Sequence, residues 1–165
     1  MAVTGHRPDK VGGYGDDAFH RLFVVARNEL ARLNPEEVIT GMALGWDQAV
    51  AEAAGRLGIP YVAAVPCVGQ DRIWPKESQA RYNALLTRAK EVKVVTDGPY
   101  AAWKMIARNK WMVDNCDEVL ALWDGFRGPN GEYVGGTGSC VEYATGKKKT
   151  IHNAWESWKA SAASQ

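Results

Sequence analysis

The chain has 165 residues, of which 46% are hydrophobic and 24% are charged, so it is long enough for one compact domain with a sizeable core. A formal net charge of +1 argues against a protein that binds duplex DNA through a high overall positive charge. It is compatible with a local basic groove. No apolar stretch is long enough to span a bilayer, no charged-then-apolar leader precedes the first motif, and three widely spaced cysteines lack metal-ligand spacing. We therefore expect a cytoplasmic protein with reduced thiols, no metal site and no membrane partner.

Short β-branched runs alternate with helical patterns along the chain. The runs are apolar with little alternation, as expected of strands buried on both faces. The predicted strands are 1–4, 37–40, 61–65, 92–96, 119–123 and 149–152.

Helical patterns fill the intervals between these strands. The first is capped by Asp16 or Asp17 and runs to about residue 33; the second covers 46–57 and is stopped by Gly58. The later predicted helices begin near Pro75, cover 102 to about 115, and cover 139–145, and a short one follows at 155–160.

This alternation predicts an α/β fold: one doubly wound parallel sheet with helices on both faces. Right-handed crossovers favour the strand order 3-2-1-4-5-6. We expect a single domain over residues 1–152, followed by a partly helical tail over 153–165 whose last residues, 161–165, fray.

Glycines and polar residues follow four of the predicted strands at the point where each strand ends. The segments are "GHRP" at 5–8, "GMALGWDQ" at 41–48, "PCVGQDRIWP" at 66–75, and Asp124 followed by "GGTGS" at 135–139. Ligands of doubly wound sheets bind beyond the carboxyl ends of the strands, so we expect these segments to converge on one pocket.

The segment GGTGS at 135–139 gives the most specific signal. Its glycines let backbone amides approach an anion closely, and its threonine and serine add hydroxyl donors. The N–H groups and the positive dipole end of the helix that starts there favour a phosphate. The planar guanidinium of Arg7 suits the opposite side of the same phosphate. Together these residues predict a phosphorylated small-molecule ligand.

Several of these residues also have a purely structural interpretation. Glycines after strands, such as Gly41 and Gly45, often form turns only. His6 fits a hydrogen-bonded structural group, Arg7 a surface ion pair, and Asp47 a favourable charge in the first turn of a helix. These alternatives stay open from the residues alone.

Two common nucleotide-binding motifs are missing. No Lys-Ser or Lys-Thr pair follows the glycines of "GGTGSCV", so the segment is not a Walker loop, and the first strand is not followed by G-x-G-x-x-G, which argues against ordinary NAD binding. The tryptophans of the candidate loops, Trp46 and Trp74, fit core positions better than base-stacking positions.

Five stretches together resemble the YpsA-like branch of the SLOG superfamily, which also holds the DprA DNA-processing proteins and the LOG phosphoribohydrolases. They are "TGHRP", "TGMALGWDQAVAE", "PCVGQDRIWP", "ARNKWMVDNCDEVLALWDG" and "GGTGSCVEYA", and the resemblance runs from about Met1 to His152. It implies a Rossmann-like fold with a pocket for a nucleotide or a nucleotide-derived ligand.

The resemblance also implies which residues line that pocket. Matched onto this sequence, the ligand-binding residues are Gly5, His6, Arg7, Gly41, Ala43, Gly45, Asp47, Gln70, Trp74, Asn109, Asp124, Gly135, Gly136, Thr137, Gly138 and Ser139. Gly135, Gly136, Thr137 and Ser139 would hold phosphate. Gln70 and Trp74 would line the far side of the ligand.

The LOG enzymes imply a catalytic pair. "GGTGSCVE" matches their glycine signature with Glu142 in the acidic position, and "MIARNK" puts Arg108 in the matching arginine position. In an N-glycosidase, Glu142 would stabilise the sugar cation or activate water, and Arg108 would hold the phosphate or orient the carboxylate. The proline that opens the LOG signature is absent here, and Glu142 also fits a solvent-facing helix residue paired with Lys147.

Three functions follow from these observations. The first is a module that binds a nucleotide-like ligand, such as an ADP-ribose derivative, as a sensor or by sequestering it. The second is a nucleoside 5′-monophosphate phosphoribohydrolase, and the third is a DprA-like single-stranded DNA binder, which the near-neutral charge disfavours. We prefer the first and expect a homodimer through aromatic residues of the fourth helix, Trp103 and Trp111.

Overall fold

Six parallel strands form one sheet in the computed structural model, which describes residues 1–163. The strands are β1 (Ala2–Gly5), β2 (Val38–Thr40), β3 (Tyr61–Val65), β4 (Glu91–Val94), β5 (Glu118–Leu122) and β6 (Thr150–Asn153). The helices are α1 (Asp16–Leu33), α2 (Trp46–Leu57), α3 (Lys76–Arg88), α4 (Ala102–Asp114), α5 (Gly135–Gly146) and α6 (Trp155–Ala163), with a 3-10 turn at Pro8–Lys10. The predicted α/β class with a doubly wound parallel sheet is confirmed.

The strand order is β4-β3-β2-β1-β5-β6. It keeps the predicted run 3-2-1 and differs from 3-2-1-4-5-6 in the place of the fourth strand, which pairs with the outer edge of β3. The strand β4 is exposed along its whole length and carries Glu91 and Lys93, so it suits a sheet edge and not a buried position beside β1. Strands β2 to β4 are added on one side of β1, and β5 and β6 are added on the other. The strand order therefore reverses between the paired strands β1 and β5, and this is where the crevice of a doubly wound sheet opens.

Alternate residues of the strands supply two separate cores. On β1, Val3 packs with the helices α1, α2, α3 and α6 on one face, whereas Ala2 packs with α4 and α5 on the other. The period of two residues in a strand produces this division. Helices therefore pack on both faces of the sheet.

Two predicted helix starts are wrong in detail. The helix α5 begins at Gly135 and not at Ser139, so the glycine segment forms its first turn. The N-cap of α1 is Gly15, and Asp16 and Asp17 lie inside the first turn, where their charges still complement the helix dipole.

The C-terminal helix packs against α1. The guanidinium of Arg21 lies 3.5 Å from the ring centroid of Trp158 and donates a hydrogen bond to the Trp158 carbonyl at 2.8 Å. Helix α6 continues through residues 161–163, where fraying was predicted; residues 164–165, included in that prediction, lie outside the described residues.

The three cysteines, Cys67, Cys116 and Cys140, are free and buried. Across residues 1–163 no helix combines the length and the apolar character needed to cross a membrane.

Candidate functional site

A cleft of about 350 Å³ opens at the carboxyl end of β1, beside β5. We call it the β1 cleft. Its lining residues come from four separate segments of the chain: Thr4–Lys10 without Pro8, the pair Ala43 and Asp47, the α4 residues Met105, Arg108 and Asn109, and Val134–Thr137. The loops that the sequence places after different strands thus meet at one edge of the sheet.

The turn after β2 is held in shape by its own polar groups. The Thr40 hydroxyl donates to the Asp47 carbonyl at 2.9 Å and accepts from the Met42 amide at 3.3 Å. The Asp47 carboxylate accepts from the Ala43 amide at 3.3 Å. This turn presents Asp47 at the floor of the β1 cleft.

Burial dominates the electrostatics of Asp47, which is only 5% exposed. Loss of hydration raises the pKa of Asp47 from 3.8 to about 6, although the charges of Arg108 and Arg7 and the Ala43 amide oppose this shift. The cleft floor therefore carries a carboxyl group that titrates close to neutrality.

Arg108 lies buried across the ends of β2 and β3. Its Nη1 donates to the Gly41 carbonyl and to the Ala64 carbonyl, the latter at 3.4 Å, and its Nε donates to Asn109 Oδ1 at 3.0 Å. A Cβ atom on residue 41 would lie 1.9 Å from Nη1, so only glycine leaves room for the guanidinium. Burial lowers the pKa of Arg108 from its ordinary value, and Asp47 opposes that shift.

Asn109 extends this network to α5, because its Nδ2 donates to the Gly136 carbonyl at 3.4 Å. Hydrogen bonds thus run from the end of β2 through Arg108 and Asn109 to the first turn of α5.

His6 joins the ends of β1 and β5. Its backbone amide donates to the Leu122 carbonyl at 3.1 Å, and its Nε2 accepts from the Asp124 amide at 3.0 Å. Burial lowers the pKa of His6, although the charge of Asp124 opposes this shift. The lowered pKa favours the neutral ring, which the bond from the Asp124 amide requires. Asp124 in turn stands 3.7 Å from the Lys10 ammonium, so it supports the cleft wall from behind and does not line the cleft.

Close packing fixes β1 against α2. A Cβ atom on Gly5 would lie 2.4 Å from Trp46 Cδ1, and Trp46 itself is fully buried. Gly45 adopts a φ of 92°, and a Cβ there would come within 2.9 Å of the His6 carbonyl oxygen. Gly5 therefore lines the cleft, whereas Gly45 acts in the turn behind it.

The first turn of α5 faces the β1 cleft without a side-chain cap and without an acidic residue. Gly135 has a φ of 75°, a left-handed conformation that favours glycine, and Gly136 has open space where a side chain would project. Across from it, Arg7 is exposed, and within residues 1–163 no acidic side chain pairs with its guanidinium.

A second depression, which we call the Trp74 recess, adjoins the β1 cleft. It has a volume of about 430 Å³ and is lined by Arg7, Gly69, Gln70, Arg72, Ile73, Trp74, Tyr100 and Met105. Arg7 and Met105 line both spaces, so the two are neighbours.

A third depression lies between the exposed sides of α4 and α5. This α4–α5 groove has a volume of about 810 Å³ and contains Ser139, Glu142, Tyr143 and Lys147. Glu142 is exposed there, and Lys147 pairs with Asp114 at 3.0 Å and not with Glu142.

The predicted site residues therefore separate into groups. Those that line the β1 cleft are Gly5, His6, Arg7, Ala43, Asp47, Arg108, Asn109, Gly135, Gly136 and Thr137. Gln70 and Trp74 line the recess, Ser139 and Glu142 line the groove, and Gly138 is buried against Tyr133. Gly41, Gly45 and Asp124 support the cleft from behind. Of the predicted catalytic pair, Arg108 lines the β1 cleft and Glu142 lines the adjoining α4–α5 groove.

The sequence analysis missed five lining residues, namely Thr4, Asp9, Lys10, Met105 and Val134. Lys10 and Asp9 stand on the 3-10 turn directly after the first motif, so proximity to Arg7 was the available signal. Met105 opens the arginine motif "MIARNK", but the side of α4 on which it lies is defined only once the helix packs.

Comparisons with known proteins agree with this architecture. The family model for YpsA, described as the YspA SLOG family, matches residues 1–153. The SPbeta prophage-derived protein YoqJ of Bacillus subtilis is 29% identical over 153 residues, covering 82% of this chain and 84% of that protein. The UPF0398 protein YpsA of B. subtilis is 26% identical over 148 residues, covering 83% and 82% of the two chains.

Solved structures share the fold at low identity. DNA processing protein A from Helicobacter pylori, solved to explain its single-stranded DNA binding mode, has a TM-score of 0.58 at 19% identity, covering 92% of this chain and 63% of that one. DprA from Streptococcus pneumoniae gives 0.55 at 18% identity, covering 91% and 48%. The structure of TM1055 gives 0.56 at 14% identity, covering 91% and 71%. Because the family model covers nearly the whole chain and the fold agrees, the chain belongs to the YpsA family of SLOG proteins.

Proposed function

We propose that this protein binds a nucleotide or nucleotide-derived ligand of the ADP-ribose type, as a sensor or by sequestering the ligand. The observation that carries the proposal is the β1 cleft itself. The uncapped start of α5, the guanidinium of Arg7 and the buried carboxyl group of Asp47 meet there, where the strand order reverses between β1 and β5. Ligands of doubly wound sheets bind at such a reversal.

The first turn of α5 and Arg7 are the expected phosphate contacts. The N–H groups of this turn have no side-chain cap, and the helix dipole favours a negative group at this end. Arg7 offers a planar pair of donors from the other side of the cleft. Lys10 adds positive charge at the rim.

The Trp74 recess is the expected place for the remainder of the ligand. It adjoins the β1 cleft at Arg7 and Met105, which line both spaces. Its lining is mostly apolar, which suits a ring attached to a phosphorylated sugar. The two spaces together match a ligand that is charged at one end and flat and apolar at the other.

Titration calorimetry with ADP-ribose, ADP, AMP and adenosine tests the proposal. We expect saturable heat with the three phosphorylated compounds and none with adenosine. The variant Gly136→Leu places a side chain in the cleft without a clash in the fold, so it should abolish binding while thermal unfolding stays unchanged. Gly146→Leu, at the other end of the same helix with equally open space, is the matched control. Unchanged ADP-ribose binding in Gly136→Leu, or binding of adenosine as tight as that of AMP, would contradict the proposal.

Hydrolysis of a nucleoside monophosphate is a second candidate function, and one observation bears on which residue would serve it. Two carboxyl groups line the β1 cleft, the exposed Asp9 and the buried Asp47, and burial raises the pKa of Asp47 to about 6. Glu142 lies in the α4–α5 groove. A hydrolase at this site would therefore use Asp47 as acid or base. Chromatography of AMP after long incubation measures release of adenine, which Asp47→Asn should abolish and Glu142→Gln should not; unchanged AMP with the wild type removes this candidate.

Self-association stays part of the proposal. On α4, Trp103 is 59% exposed and Ile106 is 53% exposed, so both can lie in a dimer interface. Trp111 packs against the core and offers less surface to a partner. Light scattering of the wild type and of Trp103→Ser should give a dimer and a monomer, respectively. A monomeric wild type would contradict this part.

A further inference from the structure

We infer that the Trp74 recess recognises an amine-bearing nucleobase, adenine in the proposed ligand class, and that Gln70 Oε1 accepts the hydrogen bond from its exocyclic amine. The inference rests on the proposed function, because it assigns the base end of the ligand whose phosphate end lies in the β1 cleft. It adds a specificity-determining residue and a discrimination between bases.

The walls of the recess suit a flat ring. Ile73 is 94% exposed and Tyr100 is 60% exposed, although both are large apolar residues in a chain with a well-filled core. Trp74 is held in place from behind by Tyr82, whose ring meets it edge-on with centroids 5.4 Å apart. Accessible apolar and aromatic side chains, among them one ring held in place, are the usual lining of a base subsite.

The amide orientation of Gln70 is fixed by its neighbours. Its Nε2 donates to the Gly41 carbonyl at 3.4 Å and lies 3.2 Å from the Tyr82 hydroxyl. The opposite orientation would set Oε1 against the carbonyl oxygen, where no proton is available for a bond. Nε2 therefore faces Gly41, and Oε1 is the free end of the side chain.

Gln70 Oε1 is a buried acceptor without a partner. Gln70 is only 7% exposed, and within residues 1–163 no donor reaches this oxygen. Buried polar atoms are nearly always paired, so an orphan acceptor in a residue that lines a recess indicates a donor supplied by the ligand.

Two other buried polar atoms in the described part of the chain also lack partners, and they differ from Gln70 in their surroundings. Trp46 Nε1 belongs to a fully buried ring, and Gln48 lines a pocket of about 20 Å³, which has room for one water molecule. Of these three residues, only Gln70 lines a space large enough for a nucleobase.

The acceptor character of Oε1 determines which bases fit. An exocyclic amine satisfies it, whereas a ring without that amine leaves it unpaired and a carbonyl at the same position opposes it with a second oxygen. Discrimination should therefore be seen between ligands that differ in one substituent of the ring and share the sugar and phosphate.

The test is calorimetry on the full chain with AMP, purine riboside 5′-monophosphate, IMP and ribose 5-phosphate. We expect AMP to bind about tenfold tighter than purine riboside 5′-monophosphate, which lacks only the amine, and IMP to bind no tighter than the latter. In Gln70→Met the preference for AMP over purine riboside 5′-monophosphate should disappear, while the affinity for ribose 5-phosphate stays at the wild-type value.

A second glutamine provides the control. Gln79 donates from its Nε2 to the Trp74 carbonyl at 2.8 Å and so supports the same loop without lining the recess. Gln79→Met should change all four affinities by a similar factor and keep the AMP preference. If Gln79→Met removed the preference as Gln70→Met does, Gln70 would be acting through loop structure and the inference would be wrong.

The outcomes separate the two proposals. Binding of ribose 5-phosphate with equal affinities for AMP and purine riboside 5′-monophosphate overturns the base assignment and leaves the phosphate site standing. If none of the four probes binds and ADP-ribose also gives no heat, both proposals fail.

Discussion

The β1 cleft and the α4–α5 groove lie side by side and share Met105, Asn109, Gly135 and Gly136. The groove is more than twice as large, about 810 Å³ against about 350 Å³, but its ionisable residues Glu142, Lys110 and Lys147 are exposed. The smaller cleft holds Asp47 and Arg108, which are 5% and 4% exposed.

This difference shows that volume is a poor guide to chemistry in this protein. Charges that stay in water can be arranged at little cost, whereas a buried carboxyl group and a buried guanidinium require compensation from surrounding groups. The predictions below compare substitutions in the cleft with substitutions in the groove.

The largest effect is expected for Arg108→Met. This change removes a charged donor from the carbonyls of Gly41 and Ala64 and removes the largest opposing charge on Asp47, so we expect a loss of about 3–5 kcal/mol in the free energy of unfolding. Denaturant unfolding followed by circular dichroism measures it. Lys110→Met, on the groove side of the same helix, should change the free energy by less than about 0.5 kcal/mol. Equal stabilities of the two variants would show that the buried network is dispensable.

Arg7→Met should act on binding and not on stability. The guanidinium makes no ion pair within residues 1–163, so its removal should leave unfolding unchanged. If Arg7 clasps a phosphate, ADP-ribose affinity should fall by about tenfold or more, as measured by calorimetry. Arg7→Lys keeps the charge but loses the planar pair of donors, so its ADP-ribose affinity should lie between those of Arg7→Met and the wild type. An unchanged affinity in Arg7→Met would remove this residue from the site.

A smaller effect is expected from pH through Asp47. Its folded-state pKa of about 6 lies above the ordinary 3.8, so the folded protein holds this proton more tightly, and stability should fall as pH rises from about 4 to about 6. Protonation also removes a negative charge beside the bound anion, while Arg7 and Arg108 stay charged. ADP-ribose affinity should therefore rise about threefold between pH 7 and pH 5.

Asp47→Asn isolates this contribution from that of His6, which faces the same cleft and whose pKa burial lowers. The variant should lack both the Asp47-dependent fall in stability and most of the rise in affinity. Identical pH profiles for variant and wild type would assign the dependence to another group.

The smallest effect is expected for Lys147→Met in the groove. Its ion pair with Asp114 is exposed, and such pairs contribute little because solvent screens them. We expect the variant to bind ADP-ribose with the wild-type affinity, within the error of calorimetry, and to show no measurable change in the free energy of unfolding. A loss of binding here as large as in Arg7→Met would move the ligand into the groove.

The sequence predicted the fold class well because apolar runs and helical stripes are local signals. The edge position of β4 also had a local signal, in the charges of Glu91 and Lys93, which a strand between two others cannot easily bury. Whether β4 or β5 pairs with β1 depends on which crossover connection the chain takes, and composition alone does not decide that.

The site was predicted less evenly, for reasons that particular residues explain. The cluster around Arg7 and Gly136 follows from strand ends meeting at one edge. The position of Glu142 depends on the register of α5, which buries Val141 and turns Glu142 to the groove, and a motif match does not reveal that register. That Arg108 bends inward depends on the absence of a Cβ on Gly41, a contact between residues far apart in the chain.

The packing of Gly5 against Trp46 has an evolutionary consequence. With a hypothetical Cβ only 2.4 Å from the indole, residue 5 cannot gain a methyl group unless position 46 shrinks. Substitutions at these two positions should therefore occur together among relatives, as an inverse pairing of sizes, and a laboratory Gly5→Ala change should be rescued by a smaller residue at 46. The segments bearing Arg7 and Asp47 would then be inherited as a matched set, with their relative placement conserved even where the ligand differs.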